Sequence, residues 1–236
     1  MPKKENILME GTNNLGIIIC HTLGADPQQM KPLGKKLNKL GYTVSIPLYD
    51  GHGGSFTEVI QSEVPLWYDN VVEAYSELST KVEKIFVIGM SIGGTFSVKL
   101  AEEYDLAGII TVNAPIIGFD LYTDLWQFMQ NNEDKEMIKR YRDHRRTYFR
   151  FVTELGQIEA LKQITAPLFV LQGSLDATRY KTSSMMLMEY VSSEVKQRKD
   201  YPRSRHLLLL EADKKEATAD IIEFIQEQSK QYLLEE

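Results

Sequence analysis

The sequence is short of cysteine and of long apolar runs. Cys20 is the single cysteine among 236 residues, so no disulfide can form within the chain, as is usual in a reducing compartment. The apolar run "GIIIC" is too short for a signal peptide or a membrane span, and no apolar segment follows the lysines of "MPKKEN". We expect a cytoplasmic protein without stable membrane anchoring, in which Cys20 is a buried small hydrophobic residue rather than a reactive thiol.

Excess positive charge, metal-binding patterns and phosphate-binding loops are also missing. Lys and Arg total 27 against 33 Asp and Glu, and the net charge of −6 argues against a general affinity for nucleic acid or anionic membranes. The four histidines are scattered without an H-x-x-x-H pair, and neither G-x-G-x-x-G nor a Walker loop occurs. We therefore expect a small-molecule partner and chemistry that needs no cofactor.

Apolar runs alternate with helical patterns, as expected when strands buried on both faces are joined by crossover helices. Strands are predicted at "LGIIIC", "YTVSIPL", "KIFVIG", "LAGIITVNAP", "APLFVLQG" and, more weakly, "EVKQRKDY". Helices are predicted from Asp26-Pro27 to Gly41, at "PLWYDNVVEAYSEL", after Ser91, near Tyr180 to Val191, and through "EATADIIEFIQEQSKQYL". The pattern predicts a single α/β domain over residues 1–236, with 116–165 as a helical insertion.

The motif Gly89-Met90-Ser91-Ile92-Gly93 matches G-x-S-x-G and lies between a predicted strand and a predicted helix. In that setting a tight, strained turn holds the serine Oγ above the sheet, and the glycines permit a close approach of neighbouring backbone. The alternative is a glycine-rich turn that carries an incidental serine. We favour Ser91 as a nucleophile.

A serine hydroxyl needs a base, and the base needs an acid to orient it. On a turn of this kind the acid follows a later strand and the histidine comes after it. His206 is the only histidine beyond residue 144, and Asp176 closely follows the strand "APLFVLQG", so we predict them as base and acid. A surface-loop histidine and a helix-capping aspartate are the alternatives, with Asp200 and Asp213 as other candidate acids.

Two backbone N–H groups are needed to stabilise an oxyanion. Ile92, directly after the serine, is one predicted donor, and Leu23, in the loop after the strand "LGIIIC", is the other. The side chain of His21, two residues before Leu23, either fixes this loop by hydrogen bonding or is simply a strand-end residue.

Together the segments "ICHTLG", "MKPLGKKLNKLGYTVSIPLYDGHGGS", "PLWYDNV", "GMSIGG" and "GIITVNAP" resemble the small bacterial carboxylesterases and monoacylglycerol lipases of the α/β-hydrolase superfamily. The resemblance covers nearly the whole chain. It implies an α/β-hydrolase fold, Ser91, Asp176 and His206 as a catalytic triad, Leu23 and Ile92 as oxyanion donors, and the insertion as a small helical cap.

The chain departs from the family pattern at two places. His21-Thr22 stands where the family usually has His-Gly, and Arg205 stands where a glycine usually precedes the histidine. A cation beside His206 would disfavour imidazolium, so we expect the Arg205 side chain to point to solvent.

The insertion combines apolar residues with a basic stretch. We expect most of the apolar residues to pack the cap onto the domain and a minority to line an acyl pocket; they are Leu121, Leu125, Phe128, Met129, Tyr141, Tyr148, Phe149 and Phe151. We expect the basic residues to form a solvated helix face rather than an anion site; they are Lys135, Lys139, Arg140, Arg142, Arg145, Arg146 and Arg150.

The leading hypothesis is a serine carboxylic-ester hydrolase that acts on short- to medium-chain acyl monoesters, monoacylglycerols among them, through an acyl-enzyme intermediate. A thioesterase or another acyl hydrolase with the same triad is the alternative enzyme. A ligand-binding member of the fold without turnover is the non-enzymatic alternative.

Overall fold

A computed structural model describes residues 5–117 and 135–233. The strands are β1 Ile7–Met9, β2 Leu15–Cys20, β3 Thr43–Ile46, β4 Lys84–Met90, β5 Gly108–Val112, β6 Leu168–Gly173 and β7 Lys196–Tyr201. The α-helices of the described part are α1 Lys31–Asn38, α2 Phe56–Gln61, α3 Val64–Ser79, α4 Ile92–Glu103, α5 Lys135–Leu155, α6 Ile158–Leu161, α7 Thr178–Tyr190 and α8 Lys214–Leu233.

The strands of the described residues form one seven-stranded sheet in the order β1-β3-β2-β4-β5-β6-β7. All neighbouring strands are parallel except β1, which pairs antiparallel with β3 at one edge. The carboxyl ends of the parallel strands therefore share one edge of the sheet, which is where open α/β sheets bind ligands. The predicted fold class, a mostly parallel sheet flanked by helices, is confirmed.

Two hydrophobic cores lie on opposite faces of the sheet. Alternate residues of β2 divide between them, because successive side chains of a strand point to opposite faces: Ile18 and Cys20 enter one core, and Ile17 and Ile19 the other. Helices α3, α4 and α5 contribute to the first core, and α1 and α8 to the second. Burial raises the pKa of the Cys20 thiol to about 12, which confirms the expectation of an unreactive residue.

The six predicted strands are all present. The first helix differs, because Asp26 caps a short 3₁₀ helix at Pro27–Gln29 and α1 begins only at Lys31. Among the strands and α-helices of the described residues, two were not predicted. The strand β1 has only three residues, too few for a periodic signal, and α2 is six residues long, although Ser55 and Glu58 form a capping box at its start.

Helices α5 and α6 lie between β5 and β6, within the predicted insertion. Tyr141 and Tyr148 are buried against the core, and Phe151 contacts the rings of Tyr68 and Phe96, while Phe149 is exposed. Residues Leu121, Leu125, Phe128 and Met129 lie outside the described residues, and the division into domain and cap stays a prediction.

Across 5–117 and 135–233, no helix combines the length and apolar character needed to cross a membrane.

The described basic side chains of the insertion lie on the solvent-exposed face of α5. The side chains of Lys139, Arg140, Arg142, Arg145, Arg146 and Arg150 are all exposed. Acidic neighbours on the same helix pair with several of them, as Glu136 does with Arg140 and Glu154 with Arg150.

Candidate active site

The turn between β4 and α4 has little room for side chains. A Cβ atom on Gly89 would lie 2.0 Å from the Gly93 carbonyl oxygen, and one on Gly93 would lie 2.4 Å from that of Cys20. Ser91 between them has φ 57° and ψ −125°, a strained conformation for a residue with a side chain, and its N–H donates to Val112 at the end of β5 (2.9 Å). The sheet therefore determines the position of the serine.

Three predicted residues that are distant in sequence meet at the carboxyl edge of the sheet. Oγ of Ser91 lies 2.9 Å from Nε2 of His206, and Nδ1 of the same ring lies 2.9 Å from Oδ2 of Asp176. Ser91 and Asp176 are 3% and 8% exposed, and His206 is partly exposed. In this arrangement one imidazole nitrogen can accept the serine proton while the other is held by a carboxylate.

Close backbone packing holds the loops of Asp176 and His206 together. A Cβ on Gly173, at the end of β6, would lie 2.2 Å from the carbonyl oxygen of Arg205. Asn113, after β5, joins the same loops, because its amide donates to the carbonyls of Arg205 (2.9 Å) and His206 (2.7 Å) and accepts from the N–H of Gly173 (2.7 Å). The other carboxylate oxygen of Asp176 accepts from the N–H of Ala177 (2.8 Å).

The other candidate acids are engaged elsewhere. Asp200 pairs with Arg198 at 2.7 Å. The buried carboxylate of Asp213 accepts from the N–H and Nε of Arg203 (2.9 and 2.7 Å) and from the Ser204 hydroxyl (2.9 Å). Asp213 thus anchors the segment that leads to His206 and does not contact the imidazole.

Hydrogen bonds fix the loop that carries Leu23. Nδ1 of His21 lies 2.9 Å from the Thr22 carbonyl oxygen, and the Tyr49 hydroxyl donates to the carbonyl of His21 (3.1 Å). Both the N–H and the hydroxyl of Thr22 bond Oε1 of Gln29, at 3.3 and 3.1 Å. His21 therefore supports the loop through hydrogen bonding, and the threonine that stands in place of glycine adds an anchor.

The two predicted oxyanion donors flank the serine from different elements. Leu23 and Ser91 line the same cleft. Ile92 is the first residue of α4, and an N–H in the first turn of a helix has no acceptor within that helix. The assignment of Leu23 and Ile92 as oxyanion donors stays a prediction.

An open cleft of about 650 Å³ lies over Ser91 and His206. Among the described residues, the largest apolar and aromatic ones that line it are Leu23, Phe56, Tyr180 and Leu207. The other described lining residues are Thr22, Gly24, Ala25, Gln29, Arg179, Arg205 and Glu211. The Arg205 side chain is exposed at this cleft, in agreement with the expectation from the sequence. Among the described residues, no group of three or more His, Cys, Asp or Glu side chains is arranged to hold a metal ion.

The other three histidines belong to a buried aromatic cluster beside the His21 loop. His21 stacks on Tyr49 with ring centroids 3.9 Å apart, and His52 packs edge-on against Tyr49 (5.2 Å) and Trp67 (4.6 Å). His144, from α5, stacks on Trp67 (5.4 Å) and bonds the Ser62 carbonyl through Nε2. Each of the three rings keeps one nitrogen buried without a partner, and burial lowers the pKa of His21 to about 3, of His52 to about 4, and of His144.

We predict that this histidine cluster makes the protein acid-labile. The unfolded imidazoles bind protons as the pH falls below about 6.5, while the folded ones stay neutral to lower pH, so the free energy of unfolding decreases from neutral pH downward. His52→Phe retains the ring packing and should make this decrease shallower by up to about 1.4 kcal/mol per pH unit, measured by urea unfolding between about pH 6 and pH 4.5. Tyr49→Phe, in the same cluster, should lower stability without changing the slope. Parallel pH dependences for wild type and His52→Phe would contradict the prediction.

Several residues at the site were not predicted from the sequence. Asn113 is among the few non-glycine residues with positive φ (50°). The sequence indicates this only weakly, through an asparagine that directly follows a buried strand. Gln29 and Tyr180 approach Thr22 and His206 only through the tertiary fold, the Tyr180 and His206 ring centroids being 4.2 Å apart. No sequence pattern marks them.

Comparisons with known proteins identify a family and relatives for this chain. The family model for the alpha/beta hydrolase fold matches residues 17–182. A carboxylesterase of Bacillus subtilis (strain 168) is 25% identical over 225 residues, covering 89% of this chain and 92% of that protein. A thermostable monoacylglycerol lipase of Bacillus sp. (strain H-257) is 35% identical over 103 residues, covering 43% of this chain and 41% of that protein.

Solved structures share the fold at low sequence identity. One of two metagenome-derived lipolytic enzymes superposes with a TM-score of 0.79 at 21% identity, covering 96% of this chain and 99% of the other. A monoacylglycerol lipase of Paleococcus ferrophilus superposes with a TM-score of 0.74 at 16% identity, covering 95% and 98%.

Proposed function

Because the chain belongs to the alpha/beta hydrolase fold family, as an enzyme of the carboxylesterase and lipase group, we propose that Ser91, His206 and Asp176 form its catalytic triad. Family membership confirms the resemblance inferred from the sequence. The observation that carries the proposal is the continuous hydrogen-bonded chain from Ser91 Oγ through the His206 ring to Asp176.

In the proposed reaction, His206 Nε2 takes the proton of the Ser91 hydroxyl as Oγ attacks the ester carbonyl carbon. The N–H groups of Leu23 and Ile92 bind the oxyanion that forms, and losing one such donor costs about 3 kcal/mol in other serine hydrolases. The tetrahedral intermediate then expels the alcohol, which takes the proton from His206.

The acyl group stays on Ser91 until water attacks it, with His206 as the base, and the free acid leaves. Asp176 holds the imidazole in the tautomer that leaves Nε2 free to accept, and stabilises the imidazolium in both steps.

The substrates we propose are short- to medium-chain acyl monoesters, including monoacylglycerols, which are the substrates named for one relative. The cleft volume of about 650 Å³ is within the range of pockets that hold one small ligand, roughly 300–1,000 Å³. Apolar contact with Leu23, Phe56 and Leu207 can bind an acyl chain, and a long chain would extend beyond the cleft.

The test is a series of 4-nitrophenyl esters from acetate to palmitate, together with a thioester of matched acyl length. We expect kcat/KM to be highest for the short to medium esters and higher for the oxygen ester than for the thioester. A preference for palmitate contradicts the proposed substrate range, and a preference for the thioester favours the thioesterase alternative. Binding of an ester without hydrolysis would indicate the non-catalytic alternative.

Covalent labelling tests the nucleophile directly. Diisopropyl fluorophosphate should phosphorylate one serine, and mass spectrometry of the digested protein should locate the added mass on the peptide that contains Ser91. Prior incubation with a good ester substrate should slow the labelling. A label on another serine, or no label on an active enzyme, contradicts the assignment.

A further inference from the structure

We propose that the preferred substrates carry an anionic group, a carboxylate or a phosphate, which Arg179 binds in the cleft. The inference rests on the proposed function and specifies its substrate class. It starts from the position of Arg179, which lines the cleft together with Ser91 and His206.

Arg179 is connected to His206 through one aromatic ring. Its guanidinium carbon lies 5.2 Å from the centroid of the Tyr180 ring, and that ring is 4.2 Å from the imidazole of His206. Contact with the aromatic face holds the planar guanidinium near the reacting atoms. A substrate bonded to Ser91 is therefore close to a positive charge, because only the Tyr180 ring lies between Arg179 and His206.

The guanidinium of Arg179 has a buried donor without an acceptor. Its Nε is buried and has no hydrogen-bond partner, and within 5–117 and 135–233 no carboxylate forms an ion pair with its guanidinium. A buried donor without an acceptor is unfavourable, and the guanidinium fork matches the paired oxygens of a carboxylate or phosphate. Binding of such an oxyanion would give the guanidinium an acceptor of opposite charge.

The balance of charge in the cleft favours an anion. Among the described residues, the side chains that line it and carry a full charge at neutral pH are Arg179, Arg205 and Glu211. Glu211 is already engaged by backbone, because its carboxylate accepts from the N–H groups of Arg205 and Leu207. In a chain whose net charge is −6, two arginines at this cleft are a local excess rather than a consequence of overall basicity.

The arginines of α5 provide a useful contrast. Arg146 is 82% exposed and has Asp143 as an acidic neighbour at 3.9 Å, the usual arrangement of a solvated helix face. Arg179 is half-buried and has no acidic partner in the described chain. The two residues therefore form a matched pair for mutation, with the same change of charge inside and outside the cleft.

Two pairs of substrates of equal chain length test the inference. The first compares mono-4-nitrophenyl glutarate with 4-nitrophenyl pentanoate and places the charge on the acyl side. The second compares butyrylglycerol phosphate with monobutyrylglycerol and places it on the alcohol side. We expect the anionic member to have the higher kcat/KM in at least one pair, and that pair identifies the side on which the anion binds.

The ratio of kcat/KM for the anionic and neutral members should fall by roughly ten- to a hundredfold in Arg179→Gln. Arg179→Lys should retain part of the preference, because it keeps the charge and loses the fork, while Arg146→Gln should leave the ratio unchanged. Hydrolysis of the neutral esters with no anionic preference in either pair overturns the inference and leaves the proposed function intact. An equal loss for both members in Arg179→Gln also overturns it, since it indicates a structural role. No hydrolysis of any of the four esters overturns the proposed function and the inference with it.

Discussion

Replacing Ser91 with alanine is expected to lower kcat/KM for acyl esters by at least about a thousandfold, because triad residues act as a unit and the base then has no nucleophile to activate. The fold should be retained. The Ser91 side chain contributes no capping bond to α4, and the turn is held by the N–H of Ser91, which alanine keeps. Initial rates with a short-chain 4-nitrophenyl ester and a thermal unfolding curve measure the two effects.

Ser97→Ala is the matched control, since it removes a buried serine hydroxyl from the same helix. The Ser97 hydroxyl donates to the Gly93 carbonyl within α4 (2.9 Å) and is not among the lining residues of the cleft. Its loss should change activity by less than about tenfold, as expected for one neutral hydrogen bond. Equal rates for wild type and Ser91→Ala, or equal losses in the two variants, would contradict the assignment of the nucleophile.

Replacing Asp176 with asparagine is expected to lower kcat by about 10³- to 10⁴-fold with little change in structure. The amide can still accept from the N–H of Ala177, which now bonds Oδ1. Its NH₂ group would face Nδ1 of His206 and favour the tautomer that carries the proton on Nε2. That nitrogen could then no longer accept the proton of Ser91.

Asp213→Asn and Asp200→Asn distinguish this effect from a general loss of charge. Asp213 is expected to affect stability more than turnover, because it holds Arg203 and Ser204 rather than the imidazole, and the melting temperature should fall. Asp200, paired with Arg198 on β7, should change neither property substantially. A large loss of turnover in Asp213→Asn without one in Asp176→Asn would identify Asp213 as the acid.

Much of the fold could be predicted from local patterns. Strands buried on both faces are continuous apolar runs, and the six predicted ones are present because this signal is contained in a few consecutive residues. The missed elements are short: β1 is an edge strand of three residues, and α2 has only six. The helix expected from Pro27 begins at Lys31 instead, since the Asp26 cap serves a 3₁₀ helix.

The candidate site was predictable only in part. Ser91 has a local signature, because its strained turn needs glycines at fixed offsets. Asp176 and His206 were inferred from their order after that turn, which does not show that their side chains meet. Asn113 has a weaker signal, because an asparagine with positive φ can occur in many turns.

The sequence by itself determined the parallel sheet, the turn at Ser91, and the candidates for its partners. These depend on periodicity and on backbone conformations that few residues tolerate. Only the tertiary structure decided that Ser91, His206 and Asp176 lie within hydrogen-bonding distance, that Gln29 anchors Thr22, and that Arg179 lines the cleft with its buried Nε unpartnered. Contacts between residues far apart in the chain depend on how strands and loops pack, and no local pattern encodes that packing.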